Sequence, residues 1–145
     1  GHMHETGSII VIIGTDIPLL PNQLKRLAKR GAGGIGRTGS PGGHYSGDII
    51  LAFSTANDIG LPRMTQDDHP LFNTMTSLGD HYIEAVYNAA VDAVEEAILN
   101  ALVAAETMPM AKYPGAEDGS AKWTAIDHDR LKRLMRKYGR ILPGM

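Results

Sequence analysis

The chain has 145 residues, of which 43% are hydrophobic and 21% charged, and its formal net charge is −2. That is ordinary globular usage for one domain, a size that buries roughly 68–70% of the surface its unfolded chain exposes. It excludes wholesale disorder and any global attraction to nucleic acid or anionic lipid. With no cysteine, disulfides, thiolate metal sites and a cysteine nucleophile are excluded too, and no apolar run reaches the ~18 residues that span a bilayer.

Gly1-His2-Met3 reads as a cloning scar and is set apart from the fold. Ser8-Ile9-Ile10-Val11-Ile12-Ile13 is a β-branched run ending at Gly14, the pattern of a strand buried on both faces. A connection with two prolines follows. Asn22 is placed to cap a helix with apolar Leu24, Leu27 and Ala28, ended by Gly31. Glycine dominates from Gly31 to Gly47, so ordered backbone there must turn or approach a neighbour closely. Asp48 to Thr55 predicts a second buried strand, neighbour to the first. Asn57 to about Asp80 reads as loop. A long helix is predicted from about Tyr82 to Thr107, with an apolar stripe at spacings of 3 and 4 that includes Ile83, Val86, Ala90, Val94 and Ile98. Met108-Pro109 stops it. Trp123 to Ile126 suggests a short strand. Asp127 caps a last helix carrying Leu131, Leu134, Met135 and Tyr138, and Gly139 closes it. The fold class is α/β or α+β.

Gly31-Ala32-Gly33-Gly34-Ile35-Gly36 matches G-x-G-x-x-G, but a helix precedes it where the dinucleotide fingerprint needs a strand. No two of the six histidines stand i, i+4 on a helix, and no metal site is expected. Two basic clusters, Lys25 to Arg37 and Arg130 to Arg140, fall on polar faces of amphipathic helices without interleaved aromatics. They read as solvated faces, and no nucleic-acid or membrane partner is expected.

At Gly42-Gly43-His44-Tyr45-Ser46-Gly47-Asp48 a serine sits where a glycine-rich loop feeds a buried strand. One reading is a turn-forming serine. The other is an autoprocessed nucleophile: an N-to-O acyl shift and hydrolysis cut the chain between Tyr45 and Ser46. The freed α-amine, with an ordinary pKa near ~7.7–8, then serves as base for the Ser46 hydroxyl. His44 lies close enough in sequence to assist that cleavage by proton transfer. Ser54, Thr55 and Asn57 end a strand spanning ~26 Å and are read as structural.

Several segments in order carry a resemblance: Ser8-Ile9-Ile10-Val11-Ile12, Thr15-Asp16-Ile17-Pro18-Leu19-Leu20-Pro21, Gln23 to Ala28, Arg37-Thr38-Gly39, Ser46-Gly47-Asp48-Ile49, Ala52 to Asn57, Glu95 to Leu102 and Ala105 to Met108. Together they resemble the DmpA-like L-aminopeptidase/D-esterase family, which includes the β-peptidyl aminopeptidases. The resemblance implies an αββα sandwich assembled from a large N-terminal and a small C-terminal subunit cut from one precursor. Residues 4–45 would then end the large-subunit region and 46–145 form the small subunit. The missing large-subunit region would be a partner.

The resemblance also implies a serine N-terminal-nucleophile hydrolase acting on short peptides, amides or esters. Such an enzyme forms a homo-oligomer and needs no metal or cofactor. Glu96 would orient the nucleophile's hydrogen-bond network, with Asn100 one turn further on in support. A cytoplasmic location is expected, with a periplasmic one as the alternative. Relatives are cut after a small residue such as glycine or asparagine, whereas Tyr45 stands there in this chain. The rival reading is therefore an uncleaved, non-catalytic homologue or assembly subunit. Either way the chain alone is expected to be inactive and to self-associate through a core face shaped for the missing region.

Overall fold

The computed structural model describes residues 7–58, 71–109 and 122–141. The chain divides into two compact units, 1–96 and 97–145, and the long second helix runs through the boundary.

In the first unit, strand β1 (Ile10–Thr15), helix α1 (Pro21–Arg37) and strand β2 (Ile49–Ser54) form a β-α-β unit. The strands pair in parallel, with Ile10 opposite Ile49 and Thr15 opposite Ser54. A parallel pair needs a long crossover connection, and α1 supplies it. Pro21 occupies the first helical turn, where its missing N–H is harmless. The Gln23 side chain accepts from the Leu20 N–H at 2.9 Å, so Gln23 caps this terminus and Asn22 does not cap it from the N-cap position. A 3-10 turn at Asp80–Tyr82 leads into helix α2 (Ile83–Ala104). The core lies where α1, α2 and the inner faces of the strands meet, around Leu19, Leu27, Ile83 and Ala90.

Two expectations need correction here. The strands are not buried on both faces. Inner and outer positions alternate, and the outer residues Ile10, Ile12, Ile49 and Leu51 are 73%, 64%, 62% and 55% exposed. Both packed helices lie against the residues of one face, so the β-branched run that predicts double burial here has only one covered side.

Gly31 does not end α1 either. The helix continues through Gly31, Gly33, Gly34 and Gly36 to Arg37. A Cβ on Gly34 would stand 2.7 Å from the Val91 carbonyl oxygen and 2.7 Å from Val94 Cβ, both on α2. A Cβ on Gly31 would stand 3.1 Å from Ile50 on β2. The glycines give up about 1 kcal/mol each of helix propensity, and in return α1 packs directly on α2 and on the sheet. The G-x-G-x-x-G match is thus helical packing surface.

Ion pairs fasten the same contacts. Arg37 donates to Asp92 at 2.5 Å and to Glu95 at 3.2 Å. Arg30 stacks over the Tyr87 ring at 4.4 Å. Buried Gln23 donates to the Leu78 carbonyl and to Asp80, and Arg26 donates to Asp80 at 2.6 Å. Much of the first basic cluster therefore works within the fold. The Arg26 and Gln23 hydrogen bonds hold the Asp80 carboxyl below its ordinary pKa.

In the second unit α2 ends at Ala104, three residues short of the expected Thr107. A two-residue antiparallel ladder follows, β3 (Met108–Pro109) with β4 (Lys122–Trp123). The strand expected over Trp123–Ile126 is therefore shorter and starts one residue earlier. Helix α3 (His128–Lys137) begins as expected, with the Asp127 side chain accepting from the Arg130 N–H at 2.9 Å. Gly139 closes it at φ 63°. Among the described residues no helix is long and apolar enough to cross a membrane.

Four outcomes follow from this packing. Gly34→Val should destabilise the chain by about 1–3 kcal/mol in urea unfolding, because its side chain overlaps α2. Gly36→Ala, with nothing within 4 Å of the new Cβ, should instead stabilise by about 0.5–1 kcal/mol. Asp80 has a lowered folded-state pKa, so its contribution is present above the ordinary carboxylate pKa and disappears as pH falls through the folded value. Acid titration followed by circular dichroism should show that loss in the native chain, and Asp80→Asn should have lost it already at neutral pH. Finally, the uncovered apolar face should make the isolated chain self-associate, and a monodisperse monomer in light scattering at high concentration would contradict this.

Candidate active site

The parallel register fixes what lies at the N-terminal end of the strands. Ile49 N–H donates to the Ile9 carbonyl at 3.0 Å, which carries the pairing one step beyond β1. Ser8 and Gly47 then stand side by side, and the Gly47 N–H donates to Ser8 Oγ at 3.0 Å. Ser46 follows a turn in which its own N–H donates to the Gly43 carbonyl at 2.9 Å. Gly42, at φ 65°, helps the loop reverse within a few residues.

Asp48 links these groups. Its Oδ1 accepts from the Ser46 hydroxyl at 2.6 Å and from the Ile9 N–H at 3.1 Å. Two serine hydroxyls and one carboxylate are thus gathered at one end of a two-stranded ladder. The short hydroxyl–carboxylate bond is of the charge-assisted kind. Ser46 is half-buried, whereas Ser8 and Asp48 are exposed.

The expected residues fare differently. Ser46 sits in the cluster. His44 and Tyr45 form the exposed tip of the turn before it, their rings edge to face with centroids 5.0 Å apart. Glu96 and Asn100 are exposed on α2, and among the described residues the Ser46 hydroxyl donates to Asp48 and to neither of them. Ser54 donates to the Ile17 carbonyl at 2.7 Å, Thr55 Oγ1 donates to the Thr15 carbonyl at 3.4 Å, and Asn57 bonds the Thr76 backbone through both amide atoms. Their work at the far strand end is structural. No group of three or more His, Asp and Glu side chains is placed to hold a metal ion among the described residues.

Sequence reasoning missed Ser8 and the role of Asp48. The i, i+2 spacing of Ser46 and Asp48 was a local signal for their bond. Ser8 had no local signal. It reaches the cluster only through the pairing of segments 39 residues apart.

Residues 2–114 match the model of peptidase family S58, and the chain belongs to that family. It is 40% identical over 139 residues to the β-peptidyl aminopeptidase BapA of Sphingosinicella xenopeptidilytica, covering 94% of this chain and 31% of that protein. Its fold matches the L-aminopeptidase D-Ala-esterase/amidase of Ochrobactrum anthropi, described as a prototype of the serine aminopeptidases and a variant of the Ntn-hydrolase fold. That match has a TM-score of 0.74 and 46% identity, over 91% of this chain and 34% of that one. A Burkholderia β-aminopeptidase matches with TM-score 0.71 and 36% identity, over 88% of this chain and 35% of that one. The fold is therefore the Ntn-hydrolase variant of this family, and the chain spans about a third of the length of these relatives.

Proposed function

We propose that this chain is the nucleophile-bearing part of a serine aminopeptidase of the N-terminal-nucleophile type, which frees itself by self-cleavage and then releases N-terminal residues from short peptides, amides or esters. The observation that carries this is the gathering of Ser8, Ser46 and Asp48 at one end of the β1–β2 ladder.

The expectation from sequence places the cut before Ser46. The geometry supports the bond between Gly7 and Ser8 better. Ser8 follows a glycine, the small residue the family resemblance calls for, and leads directly toward β1, which holds it rigidly. Its oxygen accepts from the Gly47 N–H, and its own proton has no acceptor among the described residues. Ser46, by contrast, gives its N–H to the Gly43 carbonyl, and bulky Tyr45 precedes it.

In the step itself Ser8 Oγ attacks the Gly7 carbonyl carbon. The C–N bond to Ser8 breaks as a proton reaches the nitrogen, leaving an ester. Water hydrolyses that ester to a Gly7 carboxylate and a free Ser8 amine and hydroxyl. In turnover the amine, with an ordinary pKa near ~7.7–8, takes the hydroxyl proton as Ser8 attacks substrate. Asp48 fits the orienting role expected for Glu96. It holds the Ser46 hydroxyl and anchors the Ile9 N–H at the base of the nucleophile. The region present in the relatives and absent from this chain supplies the rest of the substrate site, and the working enzyme is a homo-oligomer.

A cut before Ser46 remains the second reading, favoured by the 2.6 Å hydroxyl–carboxylate bond, which is the geometry of an activated nucleophile. Intact-mass measurement of the full-length protein separates the two. A fragment beginning at Ser8, abolished in Ser8→Ala, is expected. A fragment beginning at Ser46 would move the nucleophile there. A single uncleaved mass after long incubation, together with equal aminoacyl-p-nitroanilide turnover by native and Ser8→Ala protein, would leave only the non-catalytic homologue. Asp48→Asn should lower turnover by 10²-fold or more.

A further inference from the structure

Backbone N–H groups of the β2 segment reach carbonyls of the β1 segment at a constant offset. Ile49 donates to Ile9 at one end and Thr55 to Thr15 at the other. In a parallel pair every second residue of a strand donates to a given neighbour, so the donor before Ile49 is Gly47. The same offset would send its N–H to the Gly7 carbonyl. It goes to Ser8 Oγ instead, at 3.0 Å. A ladder donor is thus diverted from the backbone to a side chain, and that side chain is the nucleophile proposed above.

We propose that Gly47 is a positioning residue for this nucleophile: its N–H holds the Ser8 hydroxyl in the rotamer that attacks, in self-cleavage and in turnover alike. The inference rests on the Ser8 reading and deepens it. A serine oxygen has two lone pairs and one proton. The Gly47 N–H takes one lone pair. The other is left to attack a carbonyl carbon, and the proton is left to depart. In self-cleavage that carbonyl belongs to Gly7. In turnover it belongs to the substrate, and the freed Ser8 amine takes the proton. The bond from Gly47 serves both steps without moving. Its donor is itself held in place, between a Ser46 N–H bonded to the Gly43 carbonyl at 2.9 Å and an Asp48 carboxylate bonded to the Ile9 N–H at 3.1 Å. Without this bond the hydroxyl is free to rotate among its staggered positions and leave the line of attack. A misplacement of about 1 Å at a reacting atom can cost about 10²-fold in rate.

The proposed role belongs to the backbone of Gly47. Its φ is not positive, and a Cβ there would meet only Ser8 Oγ, at 3.6 Å, an ordinary contact. An alanine therefore keeps the donor with little disturbance, whereas removal of the N–H removes the function.

The experiment uses the full-length protein with glycolic acid in place of Gly47, so that a backbone ester oxygen replaces the N–H and the shape is kept. Intact mass follows self-cleavage, and turnover of alanyl-p-nitroanilide is measured per cleaved chain. The ester should lower kcat about tenfold and slow formation of the fragment beginning at Ser8 about tenfold, with KM within about twofold. Gly47→Ala, the conservative variant that retains the donor, should lose no more than about threefold in kcat. A kcat for the ester within about twofold of the unsubstituted protein would overturn the positioning role while leaving Ser8 as the nucleophile. So would an alanine variant that falls as far as the ester, because the small size of Gly47 would then be what matters. If the unsubstituted protein forms no fragment beginning at Ser8, the Ser8 reading fails and this inference fails with it.

Discussion

The parallel register between β1 and β2 is the constraint on which everything at the candidate site depends. Side chains alternate along a strand, so a slip of one residue would send Asp48 to the opposite face and separate Gly47 from Ser8. Several contacts hold the register. Ile10 pairs with Ile49 and Thr15 with Ser54. Outside the ladder, Ile49 N–H meets the Ile9 carbonyl and Thr55 N–H meets the Thr15 carbonyl, so the pairing extends past both ends. The Phe53 ring lies over Gly14, where a Cβ would stand 3.0 Å from it. A larger residue there would push the ring away and loosen the alignment.

Helix packing then makes the register usable. Parallel strands need a crossover, and in this chain the crossover helix carries the glycines that a loop would otherwise claim. Gly31 admits Ile50 and Gly34 admits Val91 and Val94. The Arg37 fork on Asp92 and Glu95 fixes the end of α1 against α2. The loop toward Ser46 therefore departs from a fixed point. Flexible residues are spent inside a helix for contact, and the turn at Gly42 and Gly43 needs only a few more.

These features explain what the sequence disclosed. Strong periodic signals were legible: both β-branched runs, the apolar stripe of α2, and the Asp127 cap of α3 all stand where the residues place them. The extent of α1 was not legible. Glycine reads locally as a helix breaker, and only the nearness of Val91 and Val94 shows why it is tolerated. One-sided burial was hidden for a similar reason. Ile10, Ile12, Ile49 and Leu51 are apolar because something is meant to cover them, yet nothing in the described residues does. At the site, Ser46 was legible from its glycine-rich setting. Ser8 was not, since a serine at the head of an apolar run looks like any strand boundary until a distant segment is paired with it.

Asp48 joins fold to chemistry in a single side chain. By accepting from the Ile9 N–H it satisfies a backbone donor at the head of β1 that lies beyond the regular ladder. By accepting from the Ser46 hydroxyl it sets that side chain's rotamer. Both bonds fall on the same oxygen, so a change that moves the carboxylate loosens the β1 terminus and the Ser46 hydroxyl together. A nucleophile carried by β1 would then inherit its position from the same carboxylate that orients its neighbour. That coupling ties the candidate geometry to the pairing of two strands.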